Sequence, residues 1–345
     1  MNPAVLVALL AHCLVGTAFG QTPAAGAARA RTLKKVGIVK HDDRWMRKAD
    51  VRAIKAGKVQ HPDTGLWIEK GALDKAKQGL FPKGKEWISR EQADKGHSDW
   101  RHPWVLIGPN VRIVTIYPLT EARSILNAAE AAVPAVLNVL WDPSLPLPHR
   151  ATVFVMSKQS DYQAFGQTFD QTGHSAHGAF LASGHDDQPA ACFYGEKSWG
   201  KFYLKFAVGV AVYATLVPDR DLDPERWLMT AVGAFNERWA NRDHAKYFAP
   251  IYLQKGGVRE LPTFFNTFGL SGEQSATQQH WNLFQSGLLF SYIATNPDKK
   301  THAAWTKVRE AITKRKGVKK MVKKLEKVLA KKEGELKKHL KRIQQ

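Results

Sequence analysis

One apolar segment, residues 202–217 (FYLKFAVGVAVYATLV), constrains the fold most, because it offers no polar face along a helix. A helix that is apolar all round lies either in a membrane or in the middle of a globular domain. The segment is shorter than the ~20 residues that a membrane span needs, and it carries Lys205. We therefore predict a central buried helix with the rest of the domain packed around it.

Before this helix the sequence predicts strands, with helices at 119–141 and 160–169 among them, and after it only helices. Residues 111–117 (VRIVTIY) and 151–156 (ATVFVM) are short and rich in β-branched residues, which predicts strands. Two further strands are predicted at 179–181 and 190–194. Helical spacing of apolar residues predicts helices at 224–240, 273–296, 301–314 and 318–342. This order predicts an α+β fold, a strand-rich N-terminal half followed by a helical half.

The first twenty residues have the pattern of a secretory signal peptide. The apolar run from Ala4 to Phe19 ends with Ala18 and Gly20 at the −3 and −1 positions of a cleavage site. An anchor helix that is never cut is the alternative. Cleavage after Gly20 would leave Cys192 as the remaining cysteine, which we expect to be a small buried apolar residue. We therefore expect a secreted or periplasmic protein with no transmembrane span after signal cleavage.

The mature chain divides by composition into three parts. Residues 21–34 are rich in alanine and predict a flexible leader. Residues 35–102 hold four tryptophans and a weak repeat, in which GLWI at 65–68 recurs as KEWI twenty residues later. We predict a small Trp-rich module whose indole rings form its core, carbohydrate stacking being the alternative. Residues 103–345 are predicted to form the main domain, which ends in a Lys-rich amphipathic helical region.

The segment 224–237 (PERWLMTAVGAFNE) carries a resemblance to a known family. It resembles the second helix of secreted gluzincin-type (peptidase MA-like) zinc metallopeptidases, which begins Pro-x-Trp-Leu-x-Glu-Gly-x-Ala-x-Tyr/Phe. The matching positions are Pro224, Trp227, Leu228 and Phe235. The resemblance covers roughly residues 60–342. It implies a metallopeptidase-like fold, for which zinc would be the family cofactor.

The residues that this family uses for catalysis are missing here. The first family helix bears His-Glu-x-x-His, in which two His bind zinc and the Glu acts as general base. The corresponding helix reads FAVGVAV at 206–212, and no His lies between His185 and His244. The third family ligand, a Glu, falls on Thr230. We therefore predict a catalytically inactive binding protein with no catalytic residue and no cofactor, and we expect Glu237 to be a solvent-facing or structural carboxylate.

A hydrolase with a relocated metal site is an alternative hypothesis. Three His and two Asp lie within residues 174–187, and such side chains can ligate a metal. The metal-ligand candidates are His174, His177 and His185. The surrounding segment is Gly-rich and polar, which favours a solvated loop over a metal site.

Positive charge is concentrated at the C-terminal end. From Lys307 onward, 16 Lys or Arg stand against 4 Glu, a net of +12 within a formal charge of +20 for the whole chain. Apolar residues at helical spacing predict that one face of 318–342 packs on the domain. The opposite face carries Lys319, Lys320, Lys323, Lys324, Lys327, Lys331, Lys332, Lys337, Lys338 and Lys341.

Such a lysine face attracts polyanions, by long-range steering and by release of counterions. The candidate partners are anionic lipid headgroups, acidic polysaccharide and extracellular nucleic acid. No aromatic residues alternate with the lysines of this face, which argues against sequence-specific nucleic-acid binding. A third hypothesis is therefore a structural protein associated with a polyanion or with the cell envelope.

Overall fold

A computed structural model of the chain describes residues 23–169, 178–181, 189–195, 199–217, 221, 227–268 and 276–345. The described chain is a mixed α+β structure. Its strands all lie before residue 194, and only helices follow residue 200, which is the predicted order. The predicted signal segment, residues 1–20, lies outside the described residues.

The prediction of a flexible leader at 21–34 is wrong, because Pro23–Lys35 forms a helix, α1. Alanine, the strongest helix former, is frequent in this segment. Near its C-terminal end, Leu33 is buried in the main core, and Arg29 forms an ion pair with Asp142. Tertiary packing therefore adds to a local preference for helix.

Three hairpin-and-helix units follow α1. They consist of β1 (Ile38–His41), β2 (Arg44–Arg47) and α2 (Lys48–Lys55); β3 (Lys58–Gln60), β4 (Trp67–Glu69) and α3 (Leu73–Lys77); and β5 (Phe81–Lys83), β6 (Glu86–Ile88) and α4 (Arg90–Gly96). The predicted repeat corresponds to the second and third units, and the first was missed. Gly37, Gly57 and Gly79 precede the three hairpins with φ of 81°, 74° and 75°, a conformation that glycine adopts without steric cost. Their recurrence is the sequence signal that marks all three units.

The tryptophans of these units are not the core that was predicted. Trp45, Trp67 and Trp87 each lie on a two-stranded hairpin and are half-buried. The buried apolar residues of these units have smaller side chains than tryptophan, among them Ile38 and Phe81. Ile38 and Phe81 belong to the main core cluster, so the module shares its core with the main domain.

Residues 35–102 pack directly on the main domain. The amide of Ile107 donates to the Thr64 carbonyl at 2.7 Å. Arg150 donates to both carboxylate oxygens of Asp50, at 3.0 and 3.1 Å. Asp94 accepts from the indole of Trp104 at 2.9 Å. Because these contacts are specific and distributed along the segment, the units form one body with the sheet.

The main sheet has five strands in the order β10-β11-β9-β8-β7. Its strands are β7 (Trp104–Ile107), β8 (Val111–Thr115), β9 (Ala151–Met156), β10 (Ala179–Leu181) and β11 (Ala190–Phe193). The pairs β8–β9 and β9–β11 are parallel, and the two outer pairs are antiparallel. Two helices, α5 (Leu119–Leu140) and α7 (Gly200–Leu216), contact this sheet and each other, while α6 (Gln159–Phe169) contacts β9 and β11.

The strand periodicity sorts side chains to the two faces of this sheet. Val153, Val155 and Cys192 belong to the main core with α5 and α7, whereas Phe154 and Ala191 belong to a small cluster on the side of α6. Cys192 is fully buried and free, as predicted. Burial raises the pKa of its thiol far above the ordinary range, so it stays protonated.

The central helix is confirmed, since every residue from 206 to 212 is buried in α7. It packs closely on α8 (Trp227–Ala234), where a Cβ added to Gly209 would lie 3.0 Å from the Gly233 Cα. A π-helical turn, Phe235–Trp239, continues α8. The remaining helices are α9 (Arg242–Gln254), α10 (Leu261–Thr267), α11 (Ala276–Thr295), α12 (Lys299–Thr313), α13 (Val318–Leu329) and α14 (Glu333–Gln344).

Two details of the helical half differ from the predictions. Helices α9 and α10 were not predicted, and the single helix predicted over 318–342 is two helices, separated at residues 330–332. The break lets α13 pack on α12 while α14 packs on α9 and α11. Within the described ranges, no helix combines the length and the apolar composition that a membrane crossing requires.

Candidate functional site

Helix α13 is amphipathic as predicted. Val318, Val322, Leu325 and Leu329 are buried against the domain, at most 3% exposed. Five exposed lysines, Lys319, Lys320, Lys323, Lys324 and Lys327, line a surface depression of about 520 Å³ together with Gly317 and Asp221. We call these five residues the lysine face.

The charge of the lysine face is reinforced by the helix itself. Lys319 and Lys320 lie in the first turn of α13, where the helix dipole is already positive. Asp221 accepts a hydrogen bond from the Gly317 amide at 3.0 Å, so one carboxylate already occupies this helix end. The described lining of the depression consists of the five lysines, Gly317 and Asp221, so its side chains are mainly cationic and the face favours a polyanion.

The other five predicted lysines do not belong to this face. Lys332 is half-buried and pairs with Asp298 at 3.1 Å. Hydrogen bonds from Thr301 and Tyr292, together with Lys332, outweigh the effect of burial and hold the pKa of Asp298 well below its usual range. Lys338 pairs with Glu335 at 3.4 Å. The remaining three, Lys331, Lys337 and Lys341, are exposed in or next to α14. Five of the ten lysines predicted to bind a polyanion thus lie together. Lys332 instead has a structural role, as the partner of Asp298.

The described residues of the family motif are structural. Trp227 and Leu228 are each 1% exposed, and the ring of Phe235 lies 5.2 Å from that of Phe290. The Trp227 indole donates to Glu326 of α13 at 3.0 Å, which joins α8 to the helix that carries the lysine face. Pro224 lies outside the described residues.

Glu237 is not solvent-facing, and that part of the prediction is corrected. It lies in the π-helical turn, 1% exposed, with a carboxylate oxygen 2.8 Å from an Nη of Arg238. A π-helical turn adds a residue to the normal repeat, and such turns are frequent at functional sites. Burial lowers the pKa of the nearby Lys205, and the negative charge of Glu237 opposes that shift. Glu237 is thus a buried carboxylate paired with Arg238, which agrees with the structural one of its two expected roles.

Arg238 lies at the floor of a second cavity, which the sequence did not reveal. Its guanidinium carbon is 4.4 Å from the ring centre of Phe248, 4.9 Å from that of Phe284 and 5.7 Å from that of Trp199. These residues line a cleft of about 470 Å³ between the start of α7, α9 and α11. We call it the aromatic cleft. Its aromatic residues are spread over more than 80 positions, from Trp199 to Phe284, so no local pattern marked it.

The alternative metal site is not described. His174, His177 and His185 all lie outside the described residues. Among the residues that the structure does describe, no three His, Cys, Asp or Glu side chains are grouped so that they could hold a metal ion. Comparisons with protein-family models, curated proteins and solved structures found no significant match to this chain.

Proposed function

We propose that this protein is an exported, non-catalytic binding protein whose lysine face holds a linear acidic polysaccharide. One observation carries the proposal, the convergence of five exposed lysines on a single depression of about 520 Å³. Lys319, Lys323 and Lys327 follow one another at intervals of four residues, a row about 12 Å long at 1.5 Å per residue. A row of this length suits successive carboxylates of an extended chain.

The surroundings of the lysine face favour a polysaccharide over a membrane or a nucleic acid. Four apolar residues of α13 are buried in the domain, and the other two, Met321 and Val328, are half-buried, so the helix offers no exposed apolar face for insertion among lipids. The described lining of the depression contains no aromatic ring on which a base could stack. Lysine is a compact point charge without the planar fork of arginine, and it recognises charge density more than shape.

The proposed ancestry is a degenerate gluzincin-type peptidase. The pairing of α7 with α8 supports it, because the matched motif residues Trp227 and Leu228 pack in the core beside α7. In α7, residues 206–212 are apolar and buried, which leaves neither zinc ligands nor a general base on that segment. These features therefore favour a binding function over a hydrolytic one, and we propose no cofactor.

A charge-matched pair of variants tests the lysine face. In the first, Lys319, Lys323 and Lys327 are replaced by glutamine; in the control, Lys331, Lys337 and Lys341 are. Both remove three exposed lysines. Binding of polygalacturonate is measured by calorimetry between 50 and 200 mM salt, a range over which ~6–10 contacts to a polyanion change affinity ~10³–10⁵-fold.

We expect the first variant to bind at least about tenfold more weakly, with a shallower salt dependence, because three charge contacts are lost. The control is expected to bind within about twofold of the natural chain. Equal losses in both variants would show that net charge alone acts and would contradict the proposed site. Tighter binding to single-stranded DNA or to anionic vesicles than to polygalacturonate would refute the polysaccharide assignment.

A further inference from the structure

The aromatic cleft is independent of the lysine face. It lies where the residue before α7 meets α9, α11 and the π-helical turn. Trp199 and Tyr247 are exposed at 37% and 65%, while Tyr252 is buried deeper in the cleft. A volume of about 470 Å³ falls within the range of small-molecule sites, and large apolar cavities with a few polar groups are the usual form of such sites.

Arg238 is the polar group at the floor of this cleft. The residue is 6% exposed, and its Nε has no hydrogen-bond acceptor among the described residues. Glu237 neutralises its charge from one side, but a guanidinium carries five N–H donors in a fixed plane. A buried donor without an acceptor is unfavourable. An acceptor that enters from the cleft would satisfy this donor.

The charges around the cleft select an anionic acceptor. Its described lining contains Arg238 and Lys255 and no Asp or Glu. Lys205, beside the Glu237 carboxylate, adds a further positive charge, and the pKa of His244 is lowered first by burial and then by Lys205. Among the described residues, the carboxylate of Glu237 and, beside His244, that of Asp243 stand against these cations. A ligand carboxylate would restore the balance and pair with the guanidinium through parallel hydrogen bonds.

The aromatic side chains of the cleft favour a flat apolar group in the remainder of the ligand. The rings of Tyr252 and Trp281 lie 5.4 Å apart, and Arg259 covers Trp281 at 5.0 Å. Aromatic rings bind flat apolar groups by stacking and edge contacts. We propose that the aromatic cleft binds a small aromatic carboxylate, with its carboxylate on Arg238 and its ring against Tyr252 and Trp281.

A matched pair of probes tests the proposal on the unmodified chain. Binding of 3-phenylpropionate and of its neutral isostere 3-phenylpropanamide is measured by calorimetry at pH 7. We expect the acid to bind at least about tenfold more tightly than the amide, because only the acid supplies an anionic acceptor. Equal affinities for the two probes, or binding of neither at millimolar concentration, would overturn the proposal.

Two variants test whether the ligand binds in the cleft. Arg238→Lys keeps the charge but removes the planar fork, and we expect the preference for the acid to fall at least about fivefold. Tyr247→Ala removes an exposed ring from the lining without opening the core, and both probes are expected to bind more weakly. If Arg238→Lys does not fold, Tyr247→Ala still tests the site. Unchanged affinity of that variant for both probes would contradict binding in this cleft.

Discussion

Replacing Glu237 with glutamine removes one charge from a buried ion pair and leaves the shape of the side chain almost unchanged. The carboxylate is 2.8 Å from the Arg238 guanidinium, and both side chains are at most 7% exposed. Removing one partner of such a pair typically costs ~3–5 kcal/mol, because the other charge stays buried without compensation. Three aromatic faces remain around Arg238, and cation–π contacts are worth ~0.5–2 kcal/mol. We therefore expect a loss near the lower limit, about 3 kcal/mol.

The assay is urea unfolding followed by circular dichroism, in which a lower midpoint at an unchanged slope reports lost stability. Glu335→Gln is the matched control, since Glu335 forms a largely exposed pair with Lys338 and exposed pairs contribute ~0–1 kcal/mol. Replacing both Glu237 and Arg238 with methionine is expected to recover most of the loss, because no buried charge of the pair is left uncompensated. A Glu237→Gln variant within about 1 kcal/mol of the natural chain would refute this reasoning.

Two further predictions concern pH and backbone geometry. Burial, aided by repulsion from Arg342, lowers the pKa of His339 from 6.5 to about 4, so the stability present above pH 6.5 is lost as the pH falls toward 4, by at most ~3 kcal/mol. His339→Gln should flatten this part of a stability–pH profile, and an unchanged profile would contradict the assignment. Gly65→Ala should lower the unfolding midpoint far more than Gly84→Ala: both have φ between 60° and 70°, but only at Gly65 would the Cβ lie 2.0 Å from the Ile107 carbonyl. Equal midpoints in thermal unfolding would refute the role of that contact.

Much of the fold was predictable because it follows from local periodicity. Residues 151–156 form a strand with the predicted bounds, and the apolar segment at 202–217 forms the central helix. Both patterns admit one solution, since a short β-branched run fits a buried strand and an all-apolar helix must be covered on every side. The helix at 23–35 shows the limit of composition, because small residues predicted flexibility while Leu33 anchors a helix in the core.

Of the candidate sites, one was predictable from local spacing and the other was not. The sequence by itself determined that α13 has a lysine face, because helical spacing places Lys319, Lys323 and Lys327 opposite the apolar residues. Only the tertiary structure decided that Lys332 pairs with Asp298 and that Glu237 is buried. These outcomes depend on contacts between residues far apart in the chain, and a side chain's burial and charge partners are set by such contacts rather than by its neighbours in sequence. The aromatic cleft exists for the same reason, since three separate helices must pack before its rings surround one guanidinium.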